Sequence, residues 1–141
     1  MAKPVRLRAA ELGIQSGPEP IEKIATRGYA GWDVTRWLTL QAGVLVVHQG
    51  VIPDVTPMFH MTGPLFADIG VGFGDNRIGN VRQIKGAIFH DVAGMGYTMN
   101  SHASALLDVQ HWSNGWPRNP VFGFAPNGGY TTLTLGLQYR F

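Results

Sequence analysis

The 141-residue chain reads as all-β: a small antiparallel up-and-down transmembrane β-barrel of about eight strands, one domain over residues 1–141, with its apolar side facing lipid. Composition is the first sign. Charged residues make up 14%, below the roughly one quarter of an average soluble domain, and 19 glycines with 9 prolines disfavour a helical bundle and suit strands and turns. Spacing is the second sign. Segments of about ten residues alternate apolar with small or polar side chains, and short breaks separate them without a confident helix. The third sign is what occupies the two faces. Runs of aliphatic residues with an aromatic near the end share one face; glycine, threonine and an occasional Asp, Gln or Arg share the other. A soluble lipocalin-like barrel needs the reverse, apolar within and charged without.

Residues 5–15 are the expected first strand, with a bulge near Ala9 and Ala10 to restore a slipped alternation. Ser16-Gly17-Pro18-Glu19-Pro20 reads as a break, and residues 21–25 as one helical turn at most. Residues 26–34 form a second strand, with Gly28, Ala30, Trp32 and Val34 on one face. Residues 37–48 form a stronger third, with Leu38, Leu40, Ala42, Val44, Val46 and His48 opposite Thr39, Gln41 and Gly43. Residues 50–54 read as a turn, and residues 55–61 as a strand that carries Pro57.

The clearest alternation sets Leu65, Ala67, Ile69, Val71 and Phe73 against Phe66, Asp68, Gly70, Gly72 and Gly74, with a turn at Gly74-Asp75-Asn76. Residues 83–99 make one tilted strand or two pieces. A tight turn at Asn100-Ser101 leads into residues 103–114, and a Pro- and Gly-dense loop over 115–129 leads into residues 130–141. In the last segment Thr131, Leu133, Leu135, Leu137, Tyr139 and Phe141 alternate with Thr132, Thr134, Gly136, Gln138 and Arg140. Short connections between successive strands imply antiparallel pairing.

Several function classes drop out. A formal charge of +2 is too small an excess to imply nucleic acid. The chain has no cysteine, hence no disulfide framework or thiolate chemistry. The five histidines (48, 60, 90, 102 and 111) have no metal-ligand spacing, so neither a metal nor another cofactor is expected. Gly70-Val71-Gly72-Phe73-Gly74 keeps strict period two with no helix after it, which suits a narrow barrel interior better than a nucleotide loop. His90-Asp91 sends its side chains to opposite faces and is no dyad by itself. Asp68 and Asp108 fall on interior faces, with Lys85 and Arg140 as available ion-pair partners. No apolar run is long enough for a membrane helix, and Met1-Ala2-Lys3-Pro4 opens no secretory leader; the expectation is a processed chain whose signal peptide has been removed.

The stretch that carries chemistry is His111-Trp112-Ser113-Asn114, at the end of the penultimate strand. His111 and Ser113 share a face at about 7 Å between α-carbons, close enough for a base and a hydroxyl to meet if their side chains lean together. Ala105, Leu107 and Val109 share that face; Ser104, Asp108 and Gln110 hold the other. The nucleophile candidate therefore lies on the lipid side, which suits an enzyme of lipids.

In this context the chain resembles the outer-membrane lipid A 3-O-deacylase (PagL-like) family, small eight-stranded barrels whose penultimate strand ends in His-x-Ser-Asn. The similarity runs from Pro64-Leu65-Phe66-Ala67-Asp68-Ile69-Gly70-Val71-Gly72 through Ile78-Gly79-Asn80 and Gly94-Met95-Gly96-Tyr97 to the tetrad, then through Pro126-Asn127-Gly128-Gly129 to the last strand. The ending Leu137-Gln138-Tyr139-Arg140-Phe141 resembles the terminal aromatic signal of bacterial outer-membrane proteins. The resemblance implies a serine esterase that removes the 3-linked acyl chain of lipid A, with Ser113 as nucleophile, His111 as general base, Asn127 as oxyanion donor and Asn114 as polar support. Arg118 is a rim candidate for lipid A phosphates. The family's triad carboxylate falls at Thr131, and no Asp or Glu follows Asp108. Thr131 shares His111's face and is expected to orient the ring without a negative charge, giving a slower Ser-His-Thr esterase or a lapsed, lipid-binding barrel. The implied partners are lipid A or lipopolysaccharide and the lipids of the bacterial outer membrane, with homodimerisation left open.

Overall fold

The computed structural model describes residues 10–19, 23–47, 50–61, 63–75, 87–113 and 130–141. Eight antiparallel strands close into a barrel in chain order: β1 (Glu11–Glu19), β2 (Lys23–Asp33), β3 (Leu38–Val47), β4 (Gly50–His60), β5 (Leu65–Asp75), β6 (Ala87–Thr98), β7 (Ala103–Ser113) and β8 (Tyr130–Arg140). β1 pairs with β8, from Glu11 opposite Arg140 to Ser16 opposite Leu135, and this closure removes both sheet edges. The strands run from 9 to 12 residues, the length that spans a bilayer when tilted at about 45°.

Each strand's pleat separates a polar interior from an apolar exterior. Ile69, Val71, Phe73, Leu133, Leu135 and Leu137 stand exposed on the outer wall. Arg27, Asp54, Thr56, His90, Gln110 and Thr134 are buried within. Such a wall is stable only against lipid, where each aliphatic exchanges nothing for water. Trp32, Trp37, Phe59, Tyr97, Tyr139 and Phe141 are also exposed, all near the end where β2 leads to β3, β4 to β5 and β6 to β7. They form an aromatic girdle at that end. The longer connections, 76–86 and 114–129, leave from the opposite end, where β7 finishes.

The lumen is filled. Arg27 donates to both Asp54 oxygens at 3.0 and 2.7 Å and to Gln41 Oε1 at 3.0 Å. Gln41 donates to Glu11, and Arg140 ties Glu11 to Asp33. Gly43 makes room for the guanidinium: a Cβ there would lie 2.6 Å from Arg27 Nη2. Arg140 is therefore not the partner of Asp68 or Asp108, as its sequence position suggested. Those two residues flank Gly94 on one rung of β5, β6 and β7, and Gln15 donates to Asp108. Lys85 lies outside the described residues.

The expected break at residues 16–20 is corrected: Ser16–Glu19 continue β1. Beyond Ser16 the strand pairs only with β2, so Pro18 has no β8 ladder bond to forfeit. Residues 23–25, read as part of a helical turn, begin β2, and residues 50–54, read as a turn, open β4. Pro57 leaves its mark on β4, since the ladder to β5 skips Thr56 and Pro57 while the ladder to β3 is continuous.

Candidate active site

The end of β7 is anchored from inside the barrel. Trp112 is fully buried and stacks on His90 of β6, ring centroids 3.7 Å apart and planes 13° from parallel. Ala25, Leu45, Val47, Ile52 and Ile88 complete an apolar plug around it at the long-connection end of the lumen. His90 is held in turn: Thr56 lies 2.9 Å from Nδ1 and Gln110 Oε1 lies 2.8 Å from Nε2. Thr56 donates to Asp54, the partner of Arg27. A chain of hydrogen bonds thus runs through the lumen to the His90 ring on which the indole stacks, and alternation along β7 turns His111 and Ser113 to the outer wall.

On that wall His111 is half-buried, and its Nδ1 lies 2.7 Å from Thr131 Oγ1. The contact follows from register, because His111 stands opposite Thr131 in the β7–β8 ladder. The same residue stands opposite Asp91 on its other side, in the β6–β7 ladder. Asp91, His111 and Thr131 therefore occupy one rung across three strands. One rung nearer the long connections, Ser113 stands opposite Phe89, which packs on Phe73 with ring centroids 5.3 Å apart. Ser113 is 3% exposed, and among the described residues no hydrogen bond joins it to His111.

Below the rung, away from the long connections, the wall is apolar. Val109 faces Leu133 and Leu107 faces Leu135, with Ala93 and Met95 beside them on β6. All four branched side chains of the β7–β8 pair are exposed.

The structure brings His111 and Thr131 together and sets Ser113 next to them on the same strand. Asn114, Asn127 and Arg118 lie outside the described residues. Two residues of this region escape a reading by motif. Trp112 sits inside the tetrad as a variable letter, yet it pins the strand. Asp91 was set aside because its side chain and that of His90 point to opposite faces, whereas the residue it stands against, His111, is on the next strand. A cavity of about 290 Å³ lies at the opposite end of the barrel, lined by Glu11, His60, Asp68, His102 and Arg140, remote from Ser113. Its charged residues are largely paired with one another.

If Nδ1 carries the ring hydrogen and donates it to Thr131, Nε2 is left with the lone pair that a general base needs. Thr131 supplies direction but no charge.

A family model described as lipid A 3-O-deacylase (PagL) matches residues 21–140. Among solved structures, the fold is similar to a crystal structure of the outer membrane enzyme PagL, at 16% identity and a TM-score of 0.69 over 93% of this chain and 99% of that one. It is similar to a de novo designed transmembrane β-barrel, at 13% identity and a TM-score of 0.67 over the whole of both chains. It is also similar to Neisserial surface protein A, at 9% identity and a TM-score of 0.57 over 94% of each. No curated protein matches the sequence.

Proposed function

From the premise that the chain belongs to the lipid A 3-O-deacylase (PagL) family, we propose that it is a serine esterase of the bacterial outer membrane that removes the 3-linked acyl chain of lipid A. The observation that carries the reading is the His111–Thr131 contact, on the lipid-facing wall and two residues along β7 from Ser113. Outer-membrane barrels keep short turns in the periplasm and long connections outside, so the end of β7 faces the outer leaflet, where lipopolysaccharide resides.

Ser113 Oγ attacks the ester carbonyl carbon as His111 Nε2 takes its proton. The tetrahedral oxyanion is met by the Asn127 amide, with Asn114 in support, as the family resemblance implies. Collapse breaks the bond to the sugar oxygen, and His111 returns the proton to that oxygen as the deacylated lipid leaves. Water then attacks the acyl-enzyme, giving its proton to His111 and releasing the fatty acid; the proton returns to Ser113. Substrate arrives sideways from the leaflet, its tails along Leu107, Val109, Leu133 and Leu135.

A second reading, a lipid-binding barrel with feeble or lapsed activity, is favoured by Thr131 at the carboxylate position and by the burial of Ser113. Mass spectrometry of lipopolysaccharide incubated with the purified protein decides. The esterase reading expects loss of one 3-linked acyl chain, abolished by Ser113→Ala; an unchanged mass with wild-type protein refutes it.

A further inference from the structure

We propose that Asp91 supplies the negative charge that Thr131 lacks, as a positioning residue that acts through His111. This rests on the serine-esterase reading above. The register places Asp91 directly across from His111 on β6, on the flank opposite Thr131. Side chains directly opposed in an antiparallel pair have Cβ atoms about 4.5–5.5 Å apart, so a carboxylate and an imidazole meet there through side-chain rotation alone.

The chemistry of the wall supports the assignment. The outward positions of β6 are Ala87, Phe89, Asp91, Ala93, Met95 and Tyr97, so one carboxylate interrupts an otherwise uncharged face. Half-buried on that wall, it is partly removed from water, a position that is unfavourable without a countercharge. Asp75, the other carboxylate among the described outward strand positions, sits at the terminus of β5. Asp91 instead lies within the ladder, next to the one histidine of the outer rung.

The timing also fits. At rest the ring of His111 is bonded to Thr131, and among the described residues it forms no ion pair with Asp91. When Ser113 attacks, its proton converts the ring to an imidazolium. The attraction to Asp91 appears at that moment, in surroundings that screen charge poorly. An interaction that is stronger in the transition state than in the ground state raises kcat rather than tightening substrate binding. Thr131 then orients the ring from one side while Asp91 stabilises its charge from the other. The family's single carboxylate is replaced by two residues on two strands.

The test uses the full chain in detergent micelles as wild type, Ser113→Ala, Asp91→Asn, Thr131→Glu and the double variant Asp91→Asn/Thr131→Glu. Two readouts are followed: deacylation of lipopolysaccharide, and the rate at which a fluorophosphonate labels Ser113. Asp91→Asn is expected to lower kcat by about 10²–10³-fold, less than the full loss seen in serine proteases because Thr131 still orients the ring. KM stays within about twofold, and labelling of Ser113 slows in parallel. Thr131→Glu in the Asp91→Asn background restores both rates, since the charge returns on the other flank. Wild-type kcat and labelling in Asp91→Asn would overturn the proposal, as would a loss that Thr131→Glu leaves uncorrected. A wild type that is labelled at Ser113 but removes no acyl chain sinks the deacylase reading alone, and the labelling rates then decide on Asp91. A wild type that does neither overturns both.

Discussion

Trp112→Ala removes the indole that pins the end of β7, and its cost can be worked from its surroundings. The side chain is fully buried, and its deletion opens a cavity among Leu45, Val47, Ile52 and Ile88, a change that typically costs about 3–5 kcal/mol. Loss of the stack on His90 adds about 0.5–1.5 kcal/mol. One term opposes these. The indole Nε1 has no hydrogen-bond partner among the described residues, and removing an unpaired buried donor returns about 1–3 kcal/mol. The net expectation is a destabilisation of about 3 kcal/mol, a factor of roughly one hundred in the folding equilibrium. Trp112→Phe loses less area and the same unpaired donor, and should fall within about 1 kcal/mol of wild type. Urea titration of the protein folded in phospholipid vesicles reads both differences. Activity should separate the variants too, since freeing His111 and Ser113 by about 1 Å costs on the order of 10²-fold in rate. An Ala variant with a lowered midpoint but an unchanged rate would refute the positioning argument. A Phe variant as damaged as the Ala variant would refute the argument from the unpaired donor.

Thr131→Val keeps the shape of the side chain and deletes the hydroxyl 2.7 Å from His111 Nδ1. A neutral hydrogen bond contributes about 0.5–1.5 kcal/mol, so lipid A deacylation kinetics should show a fall of about 2–12-fold, and no change would mean the hydroxyl does not orient the ring. Arg27→Met strands the buried Asp54 carboxylate and should cost about 3–5 kcal/mol in the same urea titration, while Arg27→Met/Asp54→Leu should recover most of that; an additive double variant would contradict the pairing.

Period-two patterning carried most of the architecture, because a strand that separates lipid from a packed lumen must alternate along nearly its whole length. Leu65 to Phe73 and Thr131 to Tyr139 were therefore readable as outer faces. Boundaries were harder. Pro18 and the proline of β4 at position 53 normally mark breaks, and the extent of pairing that tolerates them is a property of neighbouring strands. His111 and Ser113 could be found from local spacing, and the expected contact of His111 with Thr131 is present in the structure. Asp91 could not, for a reason of one residue. A two-residue turn at Asn100-Ser101 pairs residues whose numbers sum to 201, and Asp91 then lies out of step with His111. The β6–β7 hairpin pairs Thr98 with Ser104, a sum of 202, which sets Asp91 against His111 on the same face. The partners inside the lumen were hidden similarly: Asp68 and Asp108 stand on either side of Gly94 on one rung of β5, β6 and β7, a register that no single strand encodes.

The rung of Asp91, His111 and Thr131 opens onto the wall above an apolar strip, so on the esterase reading proposed above its chemistry is confined to a plane. In that plane the relevant abundance of a lipid is its mole fraction among its neighbours, rather than its amount per volume of water. Adding an inert phospholipid or more detergent, at constant total substrate, should therefore slow turnover in proportion to the dilution of the surface. An enzyme whose cleft opens into water would be indifferent to such dilution. Packing of the leaflet becomes a control in its own right: a lipid held rigidly by its neighbours must first give up those contacts before its ester reaches Ser113, and a loosened membrane hands it over more readily.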